Sequence, residues 1–227
     1  MALVPTEGWS VLHLFCKLGP ATDRDAVVAA VKAAEAAEHQ VVPFAVLGHK
    51  ADLGVMVLGP DWETQRRLQA GLSMAGVELV NSYVSLTEVS EYAKGMPEAH
   101  LRTRLYPTLP PEGMRAFCFY PMSKRRGEDH NWYALPFDDR KELMLGHGRV
   151  GRTFHGRVVQ LITGSTGLDD FEWGVSLFAV NPDDLKDVVY TMRFDEASAH
   201  YAEFGLFFAG IVGSLDEVLA LVGLSAG

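Results

Sequence analysis

The sequence predicts an α+β fold built from two halves with the same element order. Strand-like and helix-like segments run strand, helix, strand, strand, helix, strand to about residue 90, and a similar order returns after residue 113. A short internal likeness accompanies that order. Leu53-Gly54-Val55 leads into Pro60-Asp61, and Trp173-Gly174-Val175 leads into Pro182-Asp183, so each half has a Gly-Val strand followed by a proline near a helix start. Apolar residues make up 48% and charged residues 22%, the balance of a globular chain with a sizeable core.

In the first half, Trp9 to Leu18 reads as a strand bounded by Gly8 and by Gly19-Pro20. Asp23 to His39 is alanine-rich with apolar residues at helical spacing, and Thr22 is placed to cap it. Val41 to Leu47 and Leu53 to Leu58 are strands. Gly59-Pro60-Asp61 starts a helix to about Met74, and Val77 to Val84 is the fourth strand. Together these make a ferredoxin-like unit. In the second half, Arg115 to Tyr120, Arg157 to Thr163, Trp173 to Val180 and Phe204 to Val212 read as strands. Asp138 to Gly146, Pro182 to Met192 and Leu215 to Val222 read as helices. The expected division is residues 1–90, a linker over 91–113, and residues 114–227. The linker is punctuated by Gly95, Pro97, Pro107, Pro110 and Pro111, with Glu98 to Leu105 as a helical turn.

Several function classes are disfavoured. A net charge of -9 argues against nucleic acid as a partner. No run is long and apolar enough to span a bilayer, and the N-terminus lacks the basic-then-apolar pattern of a secretion signal, so the expectation is a cytoplasmic chain without a membrane partner. Cys16 and Cys118 lie in apolar runs and read as buried free thiols.

The chemistry concentrates in the second half. Tyr120-Pro-Met-Ser-Lys124-Arg125-Arg126 puts a phenol and three cations at a strand end. His147 stands between two glycines where the helix is expected to end, Gln160 lies on the following strand, and Arg193 and Ser198 follow the last long helix. Singly these have ordinary explanations: a helix-end histidine as a dipole complement, a basic run as a solvated turn. Gly164 to Gly167 lacks the lysine and the spacing of a phosphate loop. Neither Cys-x-x-Cys nor a histidine pair four residues apart is present, so zinc is disfavoured. In combination they fit one ligand: a lone histidine suits a haem iron whose other four donors come from the porphyrin, and clustered cations suit its propionates.

The runs YPMSKRR, NWY, LM-x-x-HG, Q-x-x-TGS-x-GLDD-x-EWGV and MRFDEAS-x-x-Y-x-EFG resemble the coproheme decarboxylase family of the chlorite dismutase superfamily. The resemblance is dense over the second half and architectural over the first. It implies two ferredoxin-like halves closed into a dimeric-like α+β barrel, assembled as a homopentamer. It implies oxidative removal, by hydrogen peroxide, of the carboxyl groups of two propionates of Fe-coproporphyrin III (coproheme). The products are vinyl groups and haem b, through harderohaem, with the iron porphyrin both substrate and cofactor. It also implies transient contact with a coproporphyrin ferrochelatase.

Residue by residue, the resemblance makes His147 the proximal iron ligand and Tyr120 the phenol that takes hydrogen from the propionate. It associates Lys124 with the second decarboxylation. Arg193 and Ser198 match propionate-contacting positions, and Arg104 matches a linker arginine. At Gln160 chlorite-degrading relatives carry an arginine, which disfavours chlorite dismutation here. A distal base for peroxide is expected at His100, with His130 the alternative, and Glu196 is a candidate acceptor for the second ring nitrogen of His147. A haem-binding or haem-delivery protein on the same fold remains the other reading. Tyr120 and Lys124 discriminate between the two, because binding alone needs no phenol at the propionate.

Overall fold

A computed structural model describes residues 2–93, 95 and 97–225. The first part of the chain runs β1 (Ser10–Lys17), α1 (Arg24–Ala36), β2 (Gln40–Val46), β3 (Leu53–Gly59), α2 (Trp62–Met74) and β4 (Glu78–Thr87). A short helix α3 (Glu98–Leu105) leads to β5 (Ala116–Lys124), α4 (Phe137–Arg152), β6 (Val158–Gly164), β7 (Trp173–Ala179) and α5 (Pro182–Met192). The chain ends with α6 (Glu196–Ala199), β8 (Ala202–Phe204), β9 (Phe208–Val212) and α7 (Leu215–Leu221). This is the mixed α+β order that the sequence predicts.

All ladder pairings are antiparallel, in the order β7-β6-β4-β1-β3-β2-β9-β5-β8, and β5 also pairs with β7 from Ala116 opposite Ala179 to Met122 opposite Trp173. The ladder therefore closes on itself. Period-two alternation sorts the side chains. Val11 and Phe15 of β1 face an inner cluster with Phe44, Phe117, Phe119, Phe178 and Phe208, while Leu12, Leu14 and Cys16 face outward against α1, α2 and α7. Two joints tie the first four strands to the rest: β2 to β9, and β4 to β6.

Local chemistry accounts for where the elements start. Asp23, not Thr22, caps α1, accepting from the Asp25 and Ala26 N–H groups, while the Thr22 hydroxyl is turned to the Gly76 carbonyl. Asp61 caps α2 through the Thr64 N–H. Three departures from the predicted boundaries bear on the site. β5 runs past Tyr120 through Pro121 to Lys124. α4 does not stop at Gly146 but continues to Arg152, so His147 lies inside the helix. The predicted strand from Phe204 to Val212 is broken at residues 205–207. Gly146, Gly148 and Gly151 each cost the helix about 1 kcal/mol relative to alanine. Tertiary anchors offset that cost: Phe154, just beyond α4, is buried, and His147 is held by a carboxylate described below.

Candidate functional site

Three strands make one wall. β5, β7 and β6 lie side by side, and their register puts Cys118, Leu177 and Gln160 in one row and Tyr120, Val175 and Ile162 in the next. Met122, Trp173 and Gly164 form a third row. Directly opposed residues share a face, so Tyr120 and Gln160 point to the same side. Two strand spacings separate β5 from β6, about 10 Å. On this wall Cys118, Tyr120, Val175 and Leu177 are buried together with Phe154 and Val188, while Gln160 and Ile162 remain exposed.

Helix α4 borders the same cluster, yet none of its residues is buried. Its ends are fastened: Phe137 stacks on Tyr92, Arg140 donates to the Tyr92 hydroxyl at 3.1 Å, and Phe154 is sunk among the wall residues. Around His147 the same helix face carries Leu143, Met144, Val150 and Gly151. A Cβ at Gly151 would meet nothing within 4 Å. An apolar, half-exposed helix face held at both ends suits a flat apolar ligand.

His147 is set up as a neutral donor. Its Nδ1 lies 2.8 Å from the Asp195 carboxylate, which can only accept, so Nδ1 carries the proton and Nε2 keeps its lone pair. Burial lowers the imidazole pKa, against the opposing pull of Asp195. Asp195 is itself placed by α6: it caps that short helix and accepts from the Ser198 N–H at 3.1 Å. The acceptor expected at Glu196 is thus its neighbour. Glu196 occupies the first helical position and is exposed, whereas the cap side chain turns inward.

Lys124 is buried beside this pair. Its Nζ donates to the Ala197 carbonyl at 3.0 Å and stands 4.2 Å from the Trp132 ring centroid. Its backbone N–H donates to Glu172 at 2.7 Å. Burial pulls the ammonium pKa down to about 8, with Asp195 and Glu172 acting in opposition. Tyr120 is also buried. Burial and then Cys118 push its phenol up, and Arg193 pulls it back. The Arg193 guanidinium lies 4.5 Å from the centroid of the Phe204 ring, which meets Tyr120 edge-on.

The other predicted residues are placed as follows. Ser198 is half-buried on α6. His100 and Arg104 are exposed and four apart on α3, on one face of that helix. His130 lies in the turn after β5, its ring 4.8 Å from His200 and 5.7 Å from Tyr201. The geometry therefore gathers His147, Lys124 and Ser198 around Asp195, and puts Tyr120 and Gln160 on one wall.

The chlorite dismutase family profile matches residues 22–213. The chain belongs to the chlorite dismutase family. Within this family it is 40% identical to a coproheme decarboxylase of Staphylococcus carnosus, over 91% of this chain and 92% of that protein. It is 42% identical to a protein of Natronomonas pharaonis named for haem binding; the alignment covers 90% of this chain but only 39% of that protein. Among solved structures, a haem-binding protein of Thermus thermophilus superposes with a TM-score of 0.83 at 36% identity, covering 99% of this chain and all of the other. A chlorite dismutase of Candidatus Nitrospira defluvii shares the fold with a TM-score of 0.76 at 19% identity, over 96% of this chain and 97% of the other.

A chlorite dismutase family member with these residues can hold an iron porphyrin. Nε2 of His147 is free of the proton that Asp195 fixes on Nδ1, the helix face around it is apolar and open, and cations stand nearby for carboxylates. Sequence reasoning missed Asp195, Trp132 and Glu172. Asp195 was findable, since an aspartate three residues before Ser198 has N-cap spacing.

Proposed function

We propose that this chain is a coproheme decarboxylase that uses hydrogen peroxide to convert two propionates of Fe-coproporphyrin III into vinyl groups, giving haem b through harderohaem. The observation that carries this reading is the pair Tyr120 and Lys124, buried on one strand, with Lys124 beside the Asp195 that holds His147. Simple porphyrin carriage has no use for a buried phenol and a buried ammonium there. The near full-length likeness to the Staphylococcus enzyme agrees with it.

For each propionate, one carboxylate, one peroxide and one proton become a vinyl group, carbon dioxide and two waters. The bound iron porphyrin supplies the oxidising equivalents that peroxide delivers. His147 ligates the metal through Nε2, and Asp195 strengthens that donor by holding Nδ1–H. Tyr120 gives up its phenolic hydrogen and then takes one from the propionate β-carbon. Lys124, with Arg193 and Ser198 and with Arg104 from α3, binds carboxylates so that the carbon to be oxidised faces the phenol. Gln160 stands where a chlorite-degrading site has arginine. His100 serves as the base that moves the peroxide proton. His130 packs against His200 and Tyr201, immediately after the helix that Asp195 caps, whereas His100 is exposed and free to meet a peroxide, which supports His100 as the base. The division into residues 1–90, 91–113 and 114–227, homopentameric assembly, transient contact with a coproporphyrin ferrochelatase and a cytoplasmic location belong to the same reading. Among the described residues no helix is long and apolar enough to cross a membrane.

The test is to load the protein with coproheme, titrate peroxide and follow pigment masses, with chlorite in a parallel arm. Stepwise loss of two carboxyl groups is expected, and little oxygen from chlorite. Stable binding without mass loss would favour a carrier. Rapid sustained oxygen release from chlorite would favour chlorite dismutation.

A further inference from the structure

Tyr120 lies beside a break in the neighbouring strand, and the sequence calls for that break. Pro121 follows Tyr120 on β5. The Pro121 carbonyl accepts from the Gly205 N–H at 2.8 Å, so the side of β5 facing β8 and β9 is the side without a proline N–H. The partner strand is interrupted there. β8 pairs with Met122 to Lys124, β9 pairs with Ala116 to Phe119, and residues 205–207 lie between. Glycine is required in the interruption: a Cβ at Gly205 would stand 2.6 Å from the Pro121 ring and 2.8 Å from the Phe171 ring.

The interruption lays Phe207 on Tyr120. The two rings stack with centroids 4.4 Å apart and planes 20° apart, while Phe204 meets the phenol edge-on at 5.6 Å. The connection between β2 and β3 clamps the segment from the other part of the chain. Lys50 Nζ donates to the Phe207 carbonyl at 2.6 Å, and the Leu47 N–H donates to the Ala209 carbonyl at 2.8 Å.

We propose that Phe207 is a positioning residue for Tyr120. The stack holds the ring position, set by rotation about Cα–Cβ, and the ring plane, set by rotation about Cβ–Cγ. The first decides where the phenolic oxygen lies relative to a substrate carbon, the second decides the plane in which its O–H points, and Lys50 holds the stack in place. This rests on the reading of Tyr120 as the hydrogen-abstracting phenol. Hydrogen transfer is sensitive to placement, since a displacement of about 1 Å can cost about 100-fold in rate. Removing the Phe207 ring would leave a cavity that the surroundings close only in part, so the phenol would lose the contact that holds it in one place.

Three variants test the proposal. Phe207→Leu keeps apolar bulk without a ring, Phe207→Trp restores an aromatic face, and Lys50→Met removes the clamp. The first readout needs no porphyrin. In apoprotein labelled with carbon-13 tyrosine, Tyr120→Phe identifies the Tyr120 ring signals. These should lie upfield in the wild type through the Phe207 ring current. They should return toward ordinary values in Phe207→Leu, move part of the way in Lys50→Met, and stay upfield in Phe207→Trp. With coproheme and peroxide, Phe207→Leu should lose about tenfold to a hundredfold in the first decarboxylation and show altered β-methylene splitting of the tyrosyl EPR signal. Its coproheme affinity should stay within about threefold of wild type, and Phe207→Trp should recover much of the rate. Unchanged ring signals, splitting and rate in Phe207→Leu would overturn the proposal. A wild type that binds coproheme but releases no carbon dioxide with peroxide would overturn the functional reading, and the apoprotein spectra would still decide whether Phe207 orients Tyr120.

Discussion

Asp195 serves two donors at once: His147 Nδ1 at 2.8 Å and the Ser198 N–H at 3.1 Å. One carboxylate thus fixes the tautomer of the iron-ligand candidate and starts the helix that carries Ser198, the proposed propionate contact. Asparagine caps helices about as well as aspartate but bears no charge. Asp195→Asn should therefore keep the fold and its melting temperature, yet weaken the basicity of His147. Loss of such a supporting partner typically costs about 10–100-fold in metal affinity or activity. Coproheme titration followed by ferric and ferrous spectra checks this, with His147→Ala as the limiting case. Spectra and affinity identical to wild type in both variants would remove His147 from the site.

Lys124 gives opposite pH trends for stability and binding. Its folded pKa of about 8 lies below the ordinary 10.5. Between these values the unfolded chain holds a proton that the folded chain has released, so the lysine makes stability rise with pH across that window. Over the same window the cation offered to a propionate disappears. Apoprotein stability should rise above pH 8 relative to Lys124→Met, while coproheme association weakens by up to about tenfold per pH unit. Lys124→Met should show neither trend, and with peroxide it should accumulate the pigment that keeps three propionates. Parallel pH profiles in the two proteins would contradict this placement.

The fold was largely legible because its signals are local. Short apolar runs marked β1 to β4, with Gly19-Pro20 and Gly59-Pro60 closing the first and third, and Pro182 marked the start of α5 where it is found. The departures arise where long-range contacts override local chemistry. Gly146 and Gly148 read as a helix end, but Phe154 and Asp195 anchor α4 through to Arg152. Pro121 read as the end of a strand, yet its missing N–H faces the interrupted side and β5 continues through pairing with β7. In the site, Tyr120, Lys124 and His147 could be named from motifs. Their mutual placement could not, because the Asp195 link crosses from α4 to α6 and the Phe207 stack depends on a strand break.

His100 and His130 are separable by kinetics. His100 is exposed on α3, four residues from Arg104, whereas His130 is packed against His200 and Tyr201. A base contributes typically about 10²–10⁴-fold to proton transfer. His100→Ala should slow the reaction with peroxide by a factor in that range and leave coproheme affinity nearly unchanged. His130→Ala should react with peroxide at close to the wild-type rate. Stopped-flow mixing of the loaded proteins with peroxide decides between them, and the reverse pattern would assign the base to His130.

Tyr120→Phe isolates the phenol most cleanly. The substitution removes one hydroxyl and keeps the ring that stacks on Phe207 at 4.4 Å, so packing and coproheme affinity should change little. Phenylalanine cannot readily lose a hydrogen atom or an electron, so neither propionate should be decarboxylated. Lys124→Ala differs in kind, since a phenol without its neighbouring cation can still complete the first loss. After peroxide addition, pigment masses should show four propionates retained with Tyr120→Phe and three with Lys124→Ala. Peroxide should still be consumed by Tyr120→Phe, because His147, Asp195 and His100 remain, and the unspent oxidising equivalents should bleach the porphyrin. Haem b formed by Tyr120→Phe at the wild-type rate would move the hydrogen abstraction to another residue while leaving His147 and the wall of β5, β7 and β6 as the porphyrin site.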